Sequence, residues 1–405
     1  LLPKELAAET FVEMEPEAQE LLIRGFSDSE LKEVIDELYV DDAVDIVEEM
    51  PANVVQRILT QAEPEMRKQI NEILRYPEDS AGSIMTTEYV SLRPNMTVGE
   101  AILRIRRTGI DKETIYTCYV TKGHKLIGLV SVKDLLLCED DNATIESIMT
   151  DHVITVGTLD DQEQVAQMFS KYDFLALPVV DTENRLVGIV TFDDAMDVMQ
   201  DEATEDMEKM AAMLPSEHPY MRSTPIEIWK NRIPWLMFLM LSATFTGMIV
   251  THFEDALATQ VALASFMPML MGTGGNSGSQ SSTAIIRSLS LGDTSPSDAL
   301  RVIWKELRVA FLCGVSLAAA NFIKMLLVDR LLLGNTAVTM SVAATVCCTI
   351  VFVVMFAKVV GSLLPMIAEK IGVDPAVMAS PLISTITDAV SLLIYFSIAK
   401  MFLHF

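Results

Sequence analysis

The feature that most constrains this chain is one acidic residue inside one apolar stretch. Residues Ala376–Leu403 are mostly apolar or small, and Asp388 stands in their middle. The stretch is long enough to cross a bilayer, which needs about 20 apolar residues. A carboxylate at mid-membrane costs about 2.5–3.5 kcal/mol even on lenient insertion scales. It persists where it faces a wet cavity, a cation or a partner. Asp388 therefore reads as a cation site, with hydroxyls of Ser380, Ser384, Thr385, Thr387 and Ser391 around it. The plainer alternative is a carboxylate hydrogen-bonded to neighbouring helices.

Charge is placed very unevenly. The 405 residues hold 56 Asp/Glu against 30 Lys/Arg, and residues 217–405 contain only 11 of those acids with 12 of the bases. A strongly acidic half is thus joined to a nearly neutral, apolar one. Such a field opposes nucleic acid, whose phosphates need Lys/Arg patches, and favours cations. The five Cys show no CxxC or Cys/His spacing, so neither a zinc site nor a disulfide framework is expected. The five His are scattered, and no nucleophile–base constellation suggests an enzyme. No signal peptide precedes the acidic half, which is expected in the cytoplasm.

Residues 1–79 read as all-α, a superhelical array of short stacked helices with breaks at Pro16, Gly25, Pro51, Pro64 and Pro77. Ser27 to Glu30 looks like a helix start, and Pro51 and Pro64 look like first helical positions. Two similar α/β units follow, 80–143 and 144–200. Each opens on a Met-Thr segment, Ile84-Met85-Thr86 and Ile148-Met149-Thr150. Each closes on a related run, Gly128-Leu129-Val130-Ser131-Val132-Lys133-Asp134 and Gly188-Ile189-Val190-Thr191-Phe192-Asp193-Asp194. Together these motifs resemble a tandem pair of CBS-type domains. An acidic connecting helix and linker occupies 201–228. From 229 to 405, five spans are expected: Ile233–Val250, Val261–Ile286, Leu307–Val328, Val338–Ile367 and Ala376–Leu403. Lys/Arg placement then obeys the positive-inside rule with the C-terminus outside.

The second span carries Gly272-Thr273-Gly274-Gly275-Asn276-Ser277-Gly278-Ser279-Gln280. Its small residues permit close helix approach or a helix break. Asn276, Ser279 and Gln280 offer neutral oxygens to a hydrated divalent cation. Asp374-Pro375 forms a good helix start, and the same carboxylate could hold a cation at a pore mouth. Carboxylates at helical-neighbour spacing, Asp41/Asp45, Asp194/Asp197 and Glu202/Glu205/Asp206, are either a solvated face or a multi-ion Mg2+ or Ca2+ interface.

The order of parts and the motifs Gly274–Gln280 and Asp374-Pro375-Ala376 through Thr387-Asp388 closely resemble the MgtE family of bacterial magnesium channels and transporters. The resemblance covers the whole chain. It implies a multi-pass protein of the cell membrane lipid bilayer, a homodimer with its pore on the dimer axis and Asp388 holding hydrated Mg2+. Asn276, Ser279, Gln280, Ser380, Ser384 and Thr387 would line that pore. Regulatory Mg2+ would bind Glu9, Asp41, Asp45, Asp161, Glu163, Asp173, Asp194, Asp197, Glu202, Glu205, Asp206 and Asp374, closing the channel through the connecting, or plug, helix. CBS-type pairs also imply an adenine nucleotide such as ATP, with Ser131, Lys133, Asp134 and Phe174 as candidates. The alternatives are a broader divalent-cation or proton-coupled carrier and a non-transporting membrane sensor.

Overall fold

The computed structural model describes residues 3–216, 220–332, 334, 338–378 and 380–403, without the side chains of Glu5, Asp111 and Ser380. The chain divides into two units, residues 1–202 and 203–405.

The first unit opens with six short helices: α1 (Lys4–Val12), α2 (Pro16–Gly25), α3 (Asp28–Ile35), α4 (Val40–Glu49), α5 (Ala52–Gln61) and α6 (Pro64–Ile73). Ser27 caps α3, and Glu30 returns a bond to the Ser27 backbone, completing a capping box. Pro64 takes the first position of α6, but Pro51 stands one place earlier than expected, as the N-cap of α5. Leu31, Val44, Ile58 and Ile70 are buried in a core continuous with Phe169, Leu177 and Val190 of the second α/β repeat.

The first repeat contains β1 (Val90–Leu92), α7 (Val98–Thr108), β2 (Thr117–Lys122), β3 (Lys125–Ser131), α8 (Val132–Leu137) and α9 (Ile145–Ile148). The second contains β4 (Val156–Gly157), α10 (Gln162–Tyr172), β5 (Ala176–Val180), β6 (Leu186–Thr191) and α11 (Phe192–Met210). Each sheet has three strands, joined first parallel, then antiparallel. The Met-Thr segments, expected to open their own units, dock on each other's instead. Thr86 exchanges backbone bonds of 2.8 and 2.9 Å with Ile189, and Thr150 bonds of 2.9 and 3.0 Å with Leu129. The glycines explain the exchange: a Cβ on Gly188 would lie 2.6 Å from the Met85 sulfur, and one on Gly128 2.7 Å from that of Met149. The helix that closes the second repeat runs on past residue 200. No Gly or Pro interrupts residues 192–210, so the closing helix and the connecting helix are one helix, α11.

The second unit is helical: α12 (Pro225–His252), α13 (Glu254–Thr259), α14 (Met267–Ser290), α15 (Ala299–Lys324), α16 (Met340–Lys370) and α17 (Ser380–Leu403). Among the described residues, four stretches are long and apolar enough to cross a membrane: Pro225–His252, Pro296–Leu332, Met340–Lys370 and Pro375–Leu403. On α12, Leu236, Phe238, Leu241, Phe245 and Met248 are all exposed and nothing is buried. Such a surface is a liability in water and ordinary in lipid. The expected second span corresponds to α14. It is unbroken, so its glycines serve close packing rather than a break. A Cβ on Gly278 would lie 2.6 Å from Ile383 of α17, and one on Gly361 would overlap the Gly278 carbonyl. Helix α14 is wedged between α16 and α17 without room for one more carbon on either side.

Candidate cation sites

In the first unit, carboxylates crowd around the start of α4. Asp41, Glu88 and Glu113 each bring an oxygen within 4.8 Å of the others. The Val40 amide donates to Glu88 Oε2 at 3.2 Å, which ties Glu88 to the helix N-terminus. Asp41 accepts the Asp42 amide at 3.1 Å. Burial pushes the Asp41 carboxyl well up, with Asp194, Glu113 and Asp42 adding repulsion. Burial, then Asp194, lifts Asp45 to about 7. Burial, then Asp42, Asp193 and Asp194, lifts Glu113 to about 8. Burial raises Asp42 and Asp194 to about 6, although the Thr191 hydroxyl donates to Asp194. Among the described residues, no Lys or Arg pairs with Asp41, Asp42, Asp45, Glu113 or Asp194. Glu113 Oε2 is buried without a hydrogen-bond partner. An all-carboxylate set with an orphaned buried oxygen fits a hard divalent cation held partly through water.

Of the expected residues, Asp41, Asp45 and Asp194 therefore meet. Asp197 lies nearby, its carboxyl raised by burial and then by Asp193 and Glu13. Glu13, rather than the exposed Glu9, also acts on Asp42. Asp161 caps α10, accepting the Glu163 and Gln164 amides. Glu163 accepts from Gln167 at 3.2 Å. Asp173 closes α10 with a left-handed φ of 55°. Glu202 accepts from Gln162 at 3.1 Å. These four occupy local structural roles outside the Asp41 cluster. Sequence reasoning missed Glu88 and Glu113, lone acids in loops beside β1 and β2. It also missed Asp42 and Asp193, which the adjacency Asp41-Asp42 and Asp193-Asp194 could have flagged.

In the second unit, Asp374 does two things. Its Oδ1 accepts the Ala376 amide at 2.7 Å, capping the turn Pro375–Met378. Its Oδ2 lies 2.7 Å from Lys209 Nζ, which also meets Glu205 at 2.6 Å. Burial works against the Lys209 charge, but the bonds to Asp374 and Glu205 outweigh it and raise Lys209 to about 12. Burial, then Asp374, raises Asp206. Met210 packs on Ile286 and Ala376. The end of α11 is thus latched to the approach to α17 by an ammonium the sequence reading passed over.

Within the helical bundle, Asp388 is half-buried and has no hydrogen-bond or ion-pair partner among the described residues. Asn276 and Gln280 are exposed on α14 and continue through Thr283 and Arg287 as a polar stripe at helical spacing. Ser279 is half-buried beside it. Two expected lining groups face inward instead. Thr387 is fully buried and donates to the Ile383 carbonyl at 2.8 Å. Ser384 Oγ would lie 3.1 Å from a Cβ on Gly275. The glycines draw α14 against this face of α17, which turns both hydroxyls into the helix–helix contact. The Ser380 side chain lies outside the described residues.

The nucleotide candidates do not assemble. Ser131 caps α8: its Oγ donates to Asp134 at 2.6 Å and accepts the Asp134 amide at 3.0 Å. Lys133 lies on that helix. Phe174 stacks on Tyr172 with centroids 5.4 Å apart. Among the described residues, no hydrogen bond or ring contact joins it to Ser131, Lys133 or Asp134.

Crowded carboxylates on one unit and a lone carboxylate inside an apolar helical bundle on the other define a membrane protein that handles small divalent cations. Comparison with known proteins agrees. Residues 267–398 match the family described as a divalent cation transporter, residues 1–79 the MgtE intracellular N domain, and residues 81–139 and 145–201 the CBS domain. The magnesium transporter MgtE of Thermus thermophilus is 40% identical over 100% of this chain and 88% of its own length. That of Bacillus subtilis is 35% identical over 97% and 85%. A solved structure, the cytosolic domain of the Mg2+ channel MgtE in complex with ATP, is 41% identical over 49% of this chain and 81% of its own, with a TM-score of 0.47. The chain belongs to the MgtE family of magnesium transporters. That family transports an ion and is not a family of enzymes.

Proposed function

We propose that this chain conducts Mg2+ past Asp388 and closes when cytosolic Mg2+ fills the carboxylate cluster of the first unit. The observation that carries the reading is Asp388, a carboxylate in the middle of an apolar helix with no protein partner among the described residues. A charge so placed is stable only beside water or a cation. One carboxylate per chain is a thin filter, so two chains would share an axis and set two carboxylates on one path. The polar stripe from Asn276 to Arg287 on α14, otherwise misplaced on a membrane helix, supports a wet path. It also makes α14 the fifth span despite its modest apolarity.

Gating follows from repulsion. Asp41, Asp42, Asp45, Glu88, Glu113, Asp193 and Asp194 oppose one another until protons or cations neutralise them. Mg2+ binding to the compact arrangement would shift the population toward it. The latch of Lys209 on Asp374 supports a plug role for the end of α11, with Glu205 and Asp206 tuning it. The first unit would lie in the cytoplasm and the C-terminus outside. An adenine nucleotide at the CBS pair rests on the CBS-family match and on the capping pair Ser131/Asp134. Binding would have to release that pair.

The test is Mg2+ flux through reconstituted full-length protein, wild type beside Asp388→Ala, with Mg2+ varied on the side of the first unit. Flux that ignores both the substitution and that Mg2+ would sink the reading.

A further inference from the structure

An apolar groove of about 680 Å³ opens on the second unit between α15, α16 and α17. Leu307, Phe352, Phe356, Val359, Ile394 and Ile398 line it. Its volume is that of a small-molecule site, yet its walls offer almost nothing polar. At Leu307 the groove meets the first turns of α15, where Trp304 and Leu300 continue the apolar stripe one and two turns back. Beside that stripe, Arg301, Lys305 and Arg308 form a second one at helical spacing, all three exposed. Arg308 sits 5.9 Å from the Trp304 ring.

These cations differ from Lys324 and Lys358 of the same bundle. Lys324 pairs with Asp329 at 2.9 Å, and Lys358 is buried against Glu306 and Ser281. Arg301 reaches only Asp298, at 3.3 Å. Lys305 and Arg308 have no acidic partner among the described residues.

We propose that the groove and this cationic stripe together bind one anionic phospholipid, its acyl chain along Phe352, Phe356 and Ile394 and its phosphate at Lys305 and Arg308. Charge complementarity selects the headgroup, because basic side chains at a bilayer surface attract anionic lipid. An indole beside them suits the same depth. Helix geometry selects lipid over a second copy of the chain. At 3.6 residues per turn, the groove residues of α17 lie roughly 140–280° around the helix from Asp388. Two chains sharing an axis at Asp388 leave that face to the bilayer. The inference rests on the bilayer reading of the second unit and on the proposed shared axis at Asp388, not on Mg2+ selectivity or gating.

Trp304 reports on the site once the other two Trp are replaced, as Trp229→Phe and Trp235→Phe. In full-length protein of that background, brominated phosphatidylglycerol should quench Trp304 several-fold more effectively than brominated phosphatidylcholine. Equal quenching by the two lipids would overturn the proposal, and this arm needs no disruptive variant. Lys305→Gln with Arg308→Gln should remove the preference, and Val359→Trp (read by native mass spectrometry) should expel the bound lipid with the charges intact. A preference that survives both changes counts against the site. So does inorganic phosphate competing at millimolar concentration, which would mark a bare anion site. So does a disulfide between chains through Ile398→Cys, which would show a second copy in the groove. Mg2+ flux measured on the same samples separates a failure here from a failure of the transport reading.

Discussion

The two regions proposed to handle cations are built in opposite ways. Around α4, many carboxylates share one partly buried place and repel each other. On α17, a single carboxylate stands in apolar surroundings, with no charged neighbour from its own chain among the described residues. The first arrangement raises the pKa of Asp45 to about 7 and of Glu113 to about 8, so on the proposed reading an arriving cation would meet many potential ligands and be held. The second gives an ion one charge per chain, enough to enter and little to keep it. Conduction needs that weakness, and sensing needs the crowd. If the proposed roles hold, sensor and pore would differ in ligand number around the same kind of group.

The comparison breaks first at Asp388. Asp388→Ala should lower Mg2+ flux in proteoliposomes by at least about 100-fold, about 2.7 kcal/mol, in line with the worth of an intramembrane charge. Thermal stability of the first unit's Mg2+-dependent transition should not change. Conversely, Glu88→Gln with Glu113→Gln should raise the melting temperature without Mg2+, since two mutually repelling acids are gone. The same pair should abolish the Mg2+-induced stabilisation, which for a single site reaches about 2.7 kcal/mol at a hundred times Kd. A double variant that still gains stability from Mg2+ would remove this cluster from the sensor.

Proton linkage sharpens the same contrast. The cluster's carboxyls bind protons more tightly folded than unfolded, so the unfolded chain releases them first as pH rises. Without Mg2+, stability should therefore fall from the ordinary carboxylate range, near pH 4, through about pH 8, the value reached by Glu113. Saturating Mg2+ should flatten that slope. Calorimetric scans across this window at fixed ionic strength decide it. Next in size is Gly361→Ala, which forces a methyl into the α14–α16 contact. Overpacking of this kind costs about 1–3 kcal/mol, and both melting temperature and flux should drop while the Mg2+ response of the first unit persists. The smallest effect is expected at Lys209→Met. A partly exposed ion pair is worth about 0.2–1 kcal/mol. Stability should barely move, and the Mg2+ concentration giving half-closure in flux assays should rise.

Much of this was legible in the residues. Asp388 declares itself by cost, Ser27 and Glu30 by their capping pattern, and the duplicated Met-Thr and Gly-containing motifs by repetition. Asp41, Asp45 and Asp194 stand out as acids at helical spacing, and the fold brings them together. Glu88 and Glu113 were not legible, because a lone acid in a loop has no period, and only the packing of α4 against those loops gives it neighbours. The Lys209–Asp374 pair spans 165 positions of sequence and leaves no local trace. Thr387 misled for a related reason. It adjoins Asp388 in the chain, but one residue on is about 100° around the helix; the glycines of α14 claim that face, and the sequence does not say which face of α17 they approach.

The crossed docking of the Met-Thr segments has a mechanical consequence. Because Thr86 is bonded to the second repeat and Thr150 to the first, a hinge between the repeats would have to break both pairs of backbone bonds. The duplicated pair is a lever arm of fixed length. Bending in the middle would break those backbone bonds, so on the proposed gating reading a push delivered by cations at α4 would emerge at the ends of the pair.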